Sequence, residues 1–180
     1  MSTAFASTDR LVVRRFRDED VPAFAAYRSE PEVARYQSWT APVPPVEARR
    51  LVTEFAAATE EMPGWFQYAV ELRAEGVLIG DVAVCRDENG RRAELGFTLA
   101  PAYQGRGYAT EAVRCVLNRL FDAGLHKVCA ECDARNLASA RLLDRLGFKR
   151  EGLRREHTWL KNEWTDDMLF GLLARDWRVS

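Results

Sequence analysis

Ala100-Pro-Ala-Tyr-Gln-Gly-Arg-Gly-Tyr-Ala-Thr110 is the stretch on which the reading of this chain turns. It follows Ala93 to Leu99, which reads as a strand, and leads into Gly107 to Phe121, where Ala109, Ala112, Val113, Val116, Leu117, Leu120 and Phe121 recur at steps of three and four. That spacing is the pattern of a helix with one buried face. Gly105 and Gly107 permit positive φ and close backbone approach, so consecutive N–H groups can converge, and the helix start adds the positive end of its dipole. Such a place binds phosphate. The same residues also fit a plain glycine turn that joins strand to helix. No Gly-Lys-Ser/Thr follows, which excludes a Walker A loop, and the third glycine and downstream acidic ribose ligand of a dinucleotide fingerprint are lacking.

Upstream, Trp65 to Leu72 and Val77 to Arg86 read as strands joined through Arg73-Ala-Glu-Gly76, and Asp87-Glu-Asn-Gly90 is a turn before Ala93 to Leu99. The three make an antiparallel meander. Nearer the start, Arg10 to Arg17 reads as an opening strand, and Asp18-Glu-Asp-Val-Pro22 begins a helix running to about Ser29. A loop with Pro31, Tyr36, Trp39, Pro42, Pro44 and Pro45 precedes a helix from Val46 to Glu60. Downstream, Ala123-Gly124 ends the long helix and Lys127 to Asp133 forms a strand. A further helix turns Ala140, Leu143 and Leu146 inward, with Gly147 at its end. Phe148 to Leu153, His157 to Trp164 and Asp167 to Leu173 are extended, the last two a hairpin through Lys161-Asn162 or Trp164-Thr165. The class is α+β, a mixed, mostly antiparallel central sheet flanked by helices.

At 180 residues, 47% of them hydrophobic, the chain is expected to form one domain, 1–180, with a sizeable core. The apolar runs Val21–Ala26 and Leu169–Ala174 fall short of the roughly 18 residues of a spanning helix, so no membrane partner is expected. Met1 to Arg10 lacks the apolar region of a secretory signal, and a soluble, cytoplasmic protein follows as the expectation. Lys+Arg of 26 against Asp+Glu of 27 removes the basicity of a nucleic-acid binder. Lysine occurs only at 127, 149 and 161; the arginine bias fits bidentate phosphate contacts or, more simply, genome composition. Cys129-Ala-Glu-Cys132 has the look of a metal or redox pair, yet strand alternation puts residues three apart on opposite faces, so free cysteines and no metal are expected.

Gln104-Gly-Arg-Gly-Tyr-Ala109, preceded by Glu94-Leu-Gly-Phe-Thr-Leu99 and followed by Asn136-Leu-Ala-Ser139 and Leu146-Gly-Phe148, resembles the GCN5-related N-acetyltransferase (GNAT) superfamily. Gly-Tyr-Ala-Thr-Glu-Ala and the order of the blocks look most like the RimJ/RimL branch of ribosomal-protein N-terminal acetyltransferases. The core resemblance covers Gly80 to Gly152, and the flanking elements fit in order. It implies acetyl-CoA as co-substrate. The pyrophosphate would lie on the backbone of Gln104, Gly105, Arg106, Gly107, Tyr108, Ala109 and Thr110, and the pantetheine arm beside Phe97, Thr98 and Leu99, with Asn136 holding it from the other side.

A thioester is already activated, so an amine can attack it directly once neutral. A free α-amine has a pKa of about 7.7–8.0 and a lysine about 10.4, so a base helps the first and is nearly obligatory for the second. The resemblance puts Glu94 at a position that several related families use for that base; the other reading is a surface carboxylate paired with Arg91 or Arg92. Many relatives place a tyrosine seven residues after the asparagine, where this chain has Leu143, whereas the ribosomal-protein branch uses a serine matched by Ser139. Ser139 would assist the leaving thiolate, or else cap its helix. That branch also has a base in the strand after Gly152, and Glu156-His-Thr158 leaves the counterpart open. The resemblance places the acceptor between the loop near Tyr36 to Pro45 and the hairpin around His157 to Asp166. Trp39, Trp159 and Trp164 would there form an aromatic wall, with Glu156, Glu163, Asp166 and Asp167 to attract a cation, or belong to core and solvated turn. His157 reads as a hydrogen-bonded structural residue or a base. A protein N-terminal amine leads as acceptor, with a small-molecule amine second and a non-catalytic acyl-CoA sensor third; a homodimer is left open.

Overall fold

Two short strands open the chain: β1 (Ala4–Ser7) and β2 (Leu11–Arg14) run antiparallel in the computed structural model, which describes residues 4–177. The reading of the extreme N-terminus therefore falls partly outside the described residues, and β1 is a strand that the sequence patterning did not show. The opening strand is shorter than Arg10 to Arg17. It stops at Arg14, which is 1% exposed and whose guanidinium donates to both oxygens of Asp20 at 2.7 Å and to Glu71 at 2.6 Å. Asp20 also accepts the Arg17 N–H at 2.8 Å, and these bonds turn the chain into α1 (Val21–Arg28). The proline-rich loop contains a helical turn, α2 (Pro31–Ala34), and α3 (Pro45–Ala57) ends before Glu60. Glu60 is instead buried, accepting from Tyr68 at 2.6 Å and from Arg119 at 2.5 and 2.8 Å.

The meander forms as its alternation predicts. β3 (Gly64–Leu72), β4 (Val77–Arg86) and β5 (Arg92–Leu99) pair antiparallel in sequence order. α4 (Tyr108–Asp122), β6 (Lys127–Asp133) and α5 (Leu137–Arg145) follow. The last segments need correction: they are two long strands, β7 (Lys149–Leu160) and β8 (Glu163–Leu173), not three pieces. The turn is Lys161-Asn162, with φ of 50° and 67°, and Trp164 and Thr165 sit within the ladder opposite Trp159 and Thr158. Two positive φ values suit the right-handed twist of a two-residue hairpin. The apparent gap before His157 is a bulge, with Glu156 at φ 46° and its N–H held by Asp166 at 2.7 Å. α6 (Ala174–Trp177) closes the described chain.

Among the described residues the sheet has eight strands in the order β1-β2-β3-β4-β5-β6-β8-β7, and β5–β6 is its parallel pair. α4 and α5 cover one face, where Val113, Val116, Leu117, Leu120 and Leu143 meet Val82, Leu95 and Val128. α1 and α3 cover part of the other, with Phe16, Phe24, Val52 and Ala69 in a second core. Close approach of β4 to β5 depends on Gly80, opposite Leu99: a Cβ there would lie 2.2 Å from the Thr98 carbonyl oxygen. Gly80→Ala should cost about 1–3 kcal/mol of unfolding free energy, measured by urea denaturation, because backbone rather than a flexible side chain must yield. An unchanged midpoint would show that the strands part there at no cost.

Candidate active site

β5 and β6 pair only at their starts, Arg92–Glu94 against Lys127–Cys129. Beyond Glu94 they diverge, because β6 continues its ladder with β8 while β5 continues with β4. The edge of β5 from Gly96 to Leu99 thus faces a wedge with no strand opposite among the described residues. An extended chain can add to such an edge.

At the far end of β5 the glycine loop begins. Gly105 and Gly107 have φ of 73° and 82°, and Gly107 is the N-cap of α4. The N–H groups of Tyr108, Ala109 and Thr110, the first turn of α4, donate to no backbone acceptor among the described residues. They carry the partial positive charge of the helix terminus. Gln104 is tied back to the β5 edge, its Nε2 donating to the Leu99 carbonyl at 2.9 Å.

The loop is braced from the N-terminal hairpin, a contact between residues 101 positions apart that sequence patterning missed. Arg10 Nε donates to Glu111 at 2.7 Å, another guanidinium nitrogen donates to the Arg106 carbonyl at 3.1 Å, and the group lies 4.5 Å above the Tyr108 ring. Thr8 also donates to Glu111. Burial alone would raise the Glu111 carboxyl, but Thr8 and Arg10 hold it below its ordinary range.

Wedge and loop open into one cleft of about 630 Å³, lined by Phe97, Thr98, Leu99, Gln104, Gly105, Gly107, Tyr108, Ala109, Thr110, Asn136, Ser139 and Tyr36. Glu32, Val33 and Gln37 add to its wall from α2 and the loop after it. Asn136, not Ser139, caps α5: its side-chain oxygen accepts the Ser139 N–H at 3.2 Å. The capping alternative for Ser139 falls, since it stands on the third residue of the helix, half-buried on the cleft wall. Leu143 is 1% exposed, in the core.

Glu94 lies outside this cleft. It lines a second cavity of about 380 Å³ on the other side of the place where β5 and β6 part, with Cys85, Cys129, Glu131 and Arg154. Ala93 and Leu95 are buried in the main core while Glu94 between them faces away, as strand alternation requires. Neither Arg91 nor Arg92 forms an ion pair with it among the described residues. Partial burial first, then Glu131, pushes its carboxyl above the ordinary carboxylate range against the pull of Arg154 and Arg92. Glu131 in turn pairs with Arg154 at 3.1 Å.

Other expected residues are not gathered in the cleft. Arg106 is exposed on the loop's outer side and absent from the cleft wall. Trp39 belongs to the second core: its Nε1 donates to the Arg28 carbonyl at 3.0 Å and its ring lies 4.1 Å from the Arg28 guanidinium. It anchors the loop that carries Tyr36 rather than joining a wall with the hairpin tryptophans. Trp159 and Trp164 are exposed, packed edge-on at 5.3 Å, and His157 is exposed with its Nε2 at 3.4 Å from Arg154. The hairpin does reach the loop, since Lys161 donates to the Ala34 carbonyl and Glu163 pairs with Arg135 at 2.9 Å, near Tyr36. Beneath the loop, Asp81 is 2% exposed, accepts from Tyr27 and lies 3.3 Å from Arg28, a buried cluster with no sequence signal.

Cys129 lines the Glu94 cavity whereas Cys132 packs on the main core, so the two thiols lie on opposite faces. Burial raises both, Cys132 to about 11, which leaves neither as a ready thiolate.

A splayed parallel strand pair beside a donor-rich helix start offers one cleft to an extended chain and an anion lying end to end. The acetyltransferase (GNAT) domain model matches residues 10–149, and the chain belongs to that family of acetyl-CoA-dependent N-acetyltransferases. The uncharacterized N-acetyltransferase YoaA of Bacillus subtilis is 31% identical over 168 residues, covering 92% of this chain and 94% of that protein. The [ribosomal protein uS5]-alanine N-acetyltransferase of Escherichia coli is 26% identical over 181 residues, covering 95% and 91%. The crystal structure of a GNAT-family acetyltransferase from Bacillus anthracis superposes with a TM-score of 0.86 at 26% identity, covering 94% and 98%. No helix among the described residues is long and apolar enough to cross a membrane.

Proposed function

We propose that the protein, a single domain over residues 1–180, acetylates the α-amine of a protein or peptide N-terminus by direct attack on acetyl-CoA. The observation that carries this reading is the cleft itself, in which an unpaired strand edge and a set of free helix N–H groups lie end to end. Free N–H groups suit a pyrophosphate, and the β5 edge at Phe97 to Leu99 suits the amide-bearing pantetheine arm, with Asn136 opposite. The thioester would then lie toward the vertex where β5 and β6 part.

Ser139, on the cleft wall, assists the departing thiolate. Glu94, in the cavity beyond the vertex, takes the amine's proton directly or through a water. Its raised carboxyl is the better base for doing so near neutral pH. The acceptor enters between the loop of Tyr36 and the hairpin of His157, Trp159 and Trp164. The likeness to the uS5-alanine enzyme favours an N-terminal amine over a small molecule.

Thiol release from acetyl-CoA over a panel of N-terminal peptides, lysine peptides, polyamines and amino acids tests this. Free α-amino peptides should turn over at least about tenfold faster than the other amines, since a greater fraction is neutral at pH 7.5. Faster turnover of polyamines would reassign the acceptor. Coenzyme binding without thiol release from any amine would make the chain a sensor.

A further inference from the structure

Beyond Asn136 and Ser139, the α5 wall of the cleft has no part in the transfer just described. Along α5, Ala138, Arg141, Leu142 and Arg145 all face the cleft, the stripe of one helix side. Leu142 is buried, while Arg141 and Arg145 are exposed, one turn apart, and neither guanidinium has a hydrogen-bond or ion-pair partner among the described residues. Their neighbours differ: Arg10 is engaged by Glu111, and Arg135 by Asp133 and Glu163. Glu32, the carboxylate on the cleft wall, lies 4.0 Å from its own partner Arg35.

We propose that Arg141 and Arg145 bind the 3′-phosphate of the coenzyme, so that the protein distinguishes CoA from 3′-dephospho-CoA. This rests on the co-substrate reading above. With the pantetheine on the β5 edge and the pyrophosphate at the start of α4, the adenosine end must leave the cleft past the loop, where α5 forms the opposite wall. The pyrophosphate is met by backbone N–H groups and needs no cation. A phosphate monoester carries about −1.5 to −2 charge at neutral pH, so it is the largest charge left to neutralise. Two forked guanidiniums one turn apart match its three free oxygens, and no internal ion pair has to break for them to do so.

Calorimetry with CoA and with 3′-dephospho-CoA, on wild type and on Arg141→Gln/Arg145→Gln, tests the assignment. Both positions are exposed, so the double variant should fold. Wild type should prefer CoA. The double variant should lose roughly ten- to a hundredfold in CoA affinity and stay within about twofold for 3′-dephospho-CoA, erasing the preference. Arg141→Lys/Arg145→Lys should keep part of it, as point charges lack the fork. Equal losses for both nucleotides, or no loss, would overturn the inference. Wild type that binds both equally well would overturn it while leaving the co-substrate reading intact; wild type that binds neither would sink both.

Discussion

Replacing Gly107 with valine is expected to lower CoA affinity by more than about a hundredfold, with the melting temperature nearly unchanged. Gly107 sits at φ 82° and ψ 0° as the N-cap of α4, a left-handed conformation that costs an L-residue about 1–2 kcal/mol and a β-branched one more. A Cβ there meets only the Arg10 guanidinium, at 3.5 Å, so the body of the protein has no reason to unfold. The loop relieves the strain instead, which scatters the N–H groups of Tyr108 to Thr110 and puts a branched side chain where an anion would approach. Arg106→Ala should weaken binding less than about fivefold, because Arg106 offers the loop a carbonyl and its side chain is exposed. Calorimetry on both variants decides the matter; undiminished affinity in Gly107→Val would remove the loop from coenzyme binding.

Glu94→Gln should lower turnover by roughly 10²- to 10⁴-fold at neutral pH, with partial recovery as pH rises through the acceptor's own pKa of about 7.7–8.0. The sign of the wild-type profile follows from the cavity. Partial burial and Glu131 raise the Glu94 carboxyl, so its basic form is lost on acidification at a higher pH than for an ordinary carboxylate. Wild-type kcat/KM should therefore fall on the acid side from above the usual carboxylate range, and Glu94→Gln should lack that limb. Ser139→Ala should cost about tenfold or less without moving the profile, because a thiolate is a tolerable leaving group whereas a protonated amine cannot attack at all. Equal activity of Glu94→Gln and wild type below pH 7 would move proton removal to bulk water or to the hairpin around His157.

The candidate cleft was legible in the sequence where its parts are contiguous. Gln104 to Thr110 and Phe97 to Leu99 line one cleft because strand, loop and helix start follow one another along the chain. The side expected to take the acceptor was not. Trp39 and the hairpin tryptophans have the same residue type and loop-like surroundings, yet Trp39 lies over Arg28 in a core while Trp159 and Trp164 face solvent. Aromatic content does not reveal which face of a loop is covered, since that depends on elements distant in sequence.

By itself the sequence determined the local elements: the meander from its period-two alternation, α4 from its three-and-four spacing, and the loop before it from glycines at positions needing positive φ. Each is set by the backbone and by near neighbours. It determined the family as well, through ordered motifs. Only the tertiary structure decided that β5 and β6 part beyond Glu94, that Arg10 braces the loop through Glu111, that Asn136 rather than Ser139 caps α5, and that Glu94 stands in a cavity apart from the cleft of the glycine loop. Apart from the cap, these are pairings between segments tens of residues apart, settled by which edges are already satisfied by β4 and β8 and by which charges that packing brings together. The cap too needed coordinates, because Asn and Ser suit an N-cap about equally and the backbone's path into the helix chooses between them.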